Sequence, residues 1–152
     1  MVSFATIGAV WVGHSVITEY LERADAGLIR LNLLLLMVVS FLPFPTGLLA
    51  EHVREGRAER VAATIYGITL LLTATMLSVL WRYAVSQGLV HPDAADAEVQ
   101  MITKRLTPGL AGYVALIIIG LFLPTVAVLG YLALALNLLL PFGSIRRRRR
   151  RR

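Results

Sequence analysis

The sequence predicts an all-α fold, a polytopic bundle of membrane-spanning helices, on three observations. Apolar residues make up 57% of the 152 residues and the mean hydropathy is +0.74, while charged residues are only 16%, against roughly 25% in a soluble domain. The apolar residues gather into blocks of about 20, the length at which a helix rising about 1.5 Å per residue crosses a hydrocarbon core of about 30 Å. Charged side chains lie between or beyond these blocks, with Glu19 and Arg82 at block ends.

Five spans are predicted. The first, about 2–20, has no basic leader and no A-x-A site, which marks it as a retained helix and not a cleaved signal. Its Trp11, His14, Ser15 and Thr18 recur at i, i+3, i+4 and i+7, one face of a helix. Polar groups at membrane depth normally turn toward a bundle interior or a cavity. This face is therefore expected to form a structural polar network, with permeation or pH sensing by His14 as the sharper alternative. The second span, about 31–50, opens on Asn32 and carries Pro43 and Pro45 near its far end. A proline removes a backbone donor and costs about 3 kcal/mol inside an ordinary helix. In lipid the freed carbonyls need neighbouring helices or a cavity, so this pair predicts a bent helix inside a bundle.

The third span, about 61–83, sets Tyr66, Thr69 and Thr73 on one face, hydroxyls that tie helices together. The stretch 106–145 has no charge at all. As one helix it would run about 60 Å, twice the hydrocarbon thickness. It is expected to break at Leu123-Pro124-Thr125 into spans of about 107–122 and 126–142. The connections are 21–30, 51–60 and a longer loop, 84–105, marked by Gly88, Pro92, Asp93 and Asp96, with helix resuming near 94–105.

Residues 1–145 thus form the bundle, and 146–152 form a polybasic tail of Arg146, Arg147, Arg148, Arg149, Arg150, Arg151 and Arg152. This run supplies the whole net charge of +6, since the other 8 basic residues face 9 acidic ones. The positive-inside rule makes the tail a cytoplasmic topology anchor, with added attraction to anionic lipid heads. No aromatic residues interleave the arginines and no folded reader accompanies them, so nucleic acid is not an expected partner. With the tail inside, twelve basic residues face the cytoplasm against Arg54, Arg57 and Arg60 outside. Five spans then leave the amino terminus outside.

The absences exclude whole classes of chemistry. There is no cysteine, no mid-span Asp or Glu, no T-V-G-Y-G filter, no glycine-rich phosphate loop and no H-E-x-x-H. His52 and Glu55 at i, i+3 read as a solvated loop face. Neither an enzyme, nor a cofactor, nor a metal site is expected.

The order W-V-G-H (Trp11 to His14), R-L-N-L-L-L-L-M (Arg30 to Met37), F-L-P-F-P-T (Phe41 to Thr46) and Y-G-I-T-L-L-L-T (Tyr66 to Thr73), ending in L-W-R-Y (Leu80 to Tyr83), resembles the bacterial branch of the transmembrane protein 175 family of potassium channels. The resemblance implies a six-helix subunit in a homotetramer around a potassium-conducting pore lined by the first helix, which bears the signature R-x-x-x-F-S-D. That signature is absent here, and the chain resembles a member beginning at the family's second helix. Restoring a helix before Met1 would move the amino terminus inside. Trp11, His14, Asn32, Pro43 and Pro45 match as scaffold that braces the pore helix. The function so implied is a potassium-selective, leak-type channel subunit of the bacterial plasma membrane, with potassium as permeant and the carboxy terminus cytoplasmic. A non-conducting membrane scaffold or assembly partner is the alternative.

Overall fold

The computed structural model describes residues 2–52, 56–92 and 96–139, so the arginine tail lies outside it. The described chain forms six α-helices: α1 (Val2–Glu19), α2 (Ala26–Phe41), α3 (Pro43–Glu51), α4 (Arg57–Ser86), α5 (Asp96–Gly120) and α6 (Pro124–Leu139). Among the described residues the regular structure is otherwise one isolated antiparallel bridge, Leu21 to Val90. Ala26–Glu51, Arg57–Ser86 and Glu98–Gly120 are long and apolar enough to cross a membrane, and Pro124–Leu136 is a shorter apolar helix.

The second span is two helices because Pro43 cannot donate to the Val39 carbonyl. Leu42 N–H takes that acceptor instead, at 3.1 Å, a one-residue tightening of the ladder. Pro43 then occupies the first position of α3, where a missing donor costs least. The Leu42 carbonyl accepts both Thr46 N–H (3.3 Å) and the Thr46 hydroxyl (2.8 Å). Leu42 itself keeps right-handed helical angles and is fully buried, so the break is in the hydrogen bonding while the side chain holds the core.

Helix α5 starts at Asp96, within the stretch where helix is expected to resume, and runs without a break into the span expected from 107. Glu98 places an acidic group in its first turn, where the helix dipole favours it. Three contacts then pin this charged stretch to the bundle. The Tyr20 hydroxyl donates to Glu98 Oε2 at 3.3 Å, Trp81 Nε1 donates to Thr103 Oγ1 at 2.9 Å, and Ile102 is buried.

Helix α4 is the hub and touches every other helix. Its lower half enters a core of Ile17, Tyr20, Leu28, Leu35, Trp81 and Ile102, and its upper half one of Leu42, Leu49, Tyr113, Ala127 and Tyr131. Gly67 permits the second, because a Cβ there would overlap the Tyr131 hydroxyl. Beyond the helices, Glu22 N–H donates to the Leu89 carbonyl and His91 N–H to the Tyr20 carbonyl, both at 2.9 Å, strapping the α1–α2 turn to the α4–α5 turn. Asp25 caps α2 by accepting Leu28 N–H at 2.7 Å, and its second oxygen accepts the Tyr83 hydroxyl at 2.8 Å.

Candidate functional site

The polar face of α1 lies on the outside of the bundle. Spacing alone fixes which residues share a face, and here the buried face is the other one, Thr6, Ala9, Gly13, Ile17 and Tyr20. Trp11, Ser15 and Thr18 are exposed and His14 is half-buried. One of the four reaches another helix: His14 Nε2 donates to Asn32 Oδ1 on α2 at 2.7 Å. An amide oxygen only accepts, so this bond fixes the proton on Nε2. The Trp11 ring stacks on the imidazole, with centroids 5.9 Å apart and planes 27° apart. The Thr18 hydroxyl is spent on its own helix, 3.0 Å from the Ser15 carbonyl and 3.2 Å from that of His14. The arrangement is a short ridge, indole on imidazole on amide, turned away from the core of the bundle.

The buried polar network lies elsewhere. Thr6 Oγ1 and the Tyr66 hydroxyl are 2.8 Å apart, joining α1 to α4. Tyr66 meets Tyr131 edge-on at 5.8 Å, and Tyr113 stacks on Tyr131 at 6.3 Å. The Tyr131 hydroxyl is buried without a hydrogen-bond partner. Thr6, Tyr113 and Tyr131 had no marked spacing in the sequence; the available signal was a Gly67 next to Tyr66, a small residue beside a large one. Thr69 and Thr73, expected to tie helices together, donate to Ile65 and Thr69 carbonyls of their own helix. Among the described residues no group of three or more His, Asp or Glu side chains is placed to hold a metal ion. Pro43 and Pro45 stand at the α2–α3 break, Pro45 buried and Pro43 exposed.

A hub helix through two apolar cores, apolar helices of spanning length and a polar ridge on the outer surface define an integral membrane protein of the helical-bundle class. The endosomal/lysosomal potassium channel TMEM175 family model matches residues 1–43. A potassium channel of Streptomyces collinus is 40% identical over 114 residues, 74% of this chain and 55% of the relative. One of Chamaesiphon minutus is 42% identical over 113 residues, 72% of this chain and 55% of the relative. The crystal structure of a lysosomal potassium-selective channel TMEM175 homolog from Chamaesiphon minutus superposes with a TM-score of 0.81 at 33% identity, over 91% of this chain and 69% of that one. The chain belongs to the TMEM175 family. It spans about half the length of the curated relatives it matches, and those relatives are named as ion channels, not as enzymes.

Proposed function

We propose that this chain is a subunit of a potassium-selective, leak-type channel, crossing the membrane five times with α2 and α3 as one interrupted pass. The observation that carries this reading is the likeness, at a TM-score of 0.81 and 33% identity, to a channel described as potassium-selective. The chemistry is compatible. No Asp or Glu lies mid-span to bind a cation tightly, and conduction needs sites weak enough to release the ion.

The outward ridge supports assembly. Exposed Ser15 and half-buried His14 would be costly against lipid, so Trp11, His14 and Asn32 belong to a seam with further protein, as a homo-oligomer, a tetramer by family resemblance, supplies. Within that seam His14 and Asn32 act as a positioning pair: the bond sets the tilt of α1 on α2, and α1 presents the stacked indole to the neighbour. The arginine run 146–152 would hold the carboxy terminus on the cytoplasmic side of a bacterial plasma membrane. Pro43 and Pro45 would give the second pass its bend.

Reconstitution tests the reading. Liposomes containing the chain, alone or preceded by any helix encoded in frame upstream, should pass potassium faster than sodium under an imposed gradient. Absence of potassium flux from both forms would overturn it.

A further inference from the structure

An open groove of about 670 Å³ lies on the outer surface between α2 and α4, walled by Met37 and Phe41 on one side and Ile65, Ile68 and Leu72 on the other. Two hydroxyls also line it, and both are already used. Ser40 Oγ donates to the Met37 carbonyl at 2.9 Å, and Thr69 Oγ1 donates to the Ile65 carbonyl at 2.9 Å. The groove therefore offers no free polar proton, and an occupant gains nothing there from hydrogen bonding. Its partner is apolar.

The depth of the groove narrows the choice. Val38–Val39 and Leu71–Leu72 are the mid-lengths of the two apolar spans Ala26–Glu51 and Arg57–Ser86. From that level the groove extends along α4 toward Arg57 as far as Ile65, about 10 Å at 1.5 Å per residue. It thus stops near the middle of the bilayer and opens toward one leaflet. An acyl chain ends at the bilayer middle. A helix from a second copy crosses the whole membrane and would need a seam along the full span.

The polar end of the same stripe carries positive charge. Arg57, Val61 and Ile65 follow at i, i+4 and i+8, which sets Arg57 about 12 Å beyond Ile65 and about 80° round α4 from it, at the exposed margin of the groove. Arg57 is exposed and has no ion pair among the described residues. We infer that the α2–α4 groove seats an acyl chain of an anionic phospholipid from the leaflet on the Arg57 side, with Arg57 facing its phosphate. The inference rests on membrane placement and not on ion conduction, so it stands or falls separately from the channel reading.

The test is photolabelling in phosphatidylcholine liposomes doped with phosphatidylglycerol that carries a diazirine at the end of one acyl chain. Adducts should concentrate on Met37, Phe41, Ile68 and Leu72 over Phe122 and Leu129, which are at least as exposed. Ile68→Trp, which fills the groove, should remove the groove adducts and leave those at Phe122. Arg57→Gln, which leaves the groove untouched, should lower labelling by the phosphatidylglycerol probe relative to a matching phosphatidylcholine probe about fivefold, the weight of one basic residue at a membrane surface. Even labelling of all exposed apolar positions would overturn the site. So would cross-links from groove residues to a second copy in place of lipid. Equal labelling by the two probes in the unmodified protein would overturn the choice of an anionic head.

Discussion

Asp25 makes two bonds at once, to Leu28 N–H and to the Tyr83 hydroxyl. The Leu28 amide, and after it the Tyr83 hydroxyl, hold its carboxyl below the ordinary 3.8. A carboxylate whose folded pKa is depressed stabilises the fold above its unfolded pKa, and that contribution fades as pH falls through the folded value. Asp25→Ala should therefore lower the melting temperature in detergent at neutral pH, and the gap to the unmodified protein should close as the pH drops below 3.8. Asp25→Asn should lose less, because asparagine also caps helices. A gap independent of pH would assign the loss to packing.

A second contact at this scale couples Gly67 to Tyr131. Gly67→Ala drives a methyl into the Tyr131 hydroxyl, and overpacking of this kind costs about 1–3 kcal/mol. The hydroxyl has no partner, so Tyr131→Phe should raise stability by about 1 kcal/mol, the penalty of an unsatisfied buried group. The double variant should be more stable than the sum of the two effects, since phenylalanine removes the atom that clashes. Thermal unfolding of the four proteins as a cycle measures the coupling. Strict additivity would mean that the alanine is relieved by movement elsewhere.

Among the elements, the prolines give the clearest test. Pro43→Ala with Pro45→Ala returns two donors to the ladder and should fuse α2 and α3. Spin labels at the exposed Ile29 and Gly47 should then move to the separation of a straight helix, about 27 Å for 18 residues at 1.5 Å each. No change would show that the pass is already straight. The long apolar runs behind α2, α3 and α4 and the turn at Pro124 were legible because hydropathy and proline act locally. Helix near 94–105 was legible as well, but its unbroken run into the next span was not, because that stretch is docked by Tyr20, Trp81 and the burial of Ile102, partners far away in sequence. The ridge shows the same limit: i, i+3, i+4, i+7 identified the common face of Trp11, His14, Ser15 and Thr18, but which way α1 turns was decided by Ile17 and Tyr20 entering the core with Trp81.

For the whole molecule, the proposed orientation rests on charge at one end. Replacing Arg146 to Arg152 with glutamine leaves five basic residues on the expected inner side against three on the outer, a margin small enough for mixed insertion. The chain contains no cysteine, so a single cysteine added at the carboxy terminus reports its side of the membrane without background. An impermeant reagent applied outside should leave the unmodified protein unlabelled and should label a fraction of the glutamine variant. External labelling of the unmodified protein would reverse the proposed topology.

The strap between the two turns sets an order on synthesis. Glu22 and Leu89, like Tyr20 and His91, are about 70 residues apart in sequence. At about 5–20 residues per second, roughly 3–14 s separate the emergence of the first partner from that of the second. Through that interval the turn after α1 exists without its clasp, and the first two helices wait as an open hairpin until the hub helix and the turn after it have left the ribosome. The clasp is then a latch that only a nearly finished bundle can close, and a nascent chain arrested before Leu89 should leave the amides of Glu22 and of the residues around it in rapid exchange with solvent.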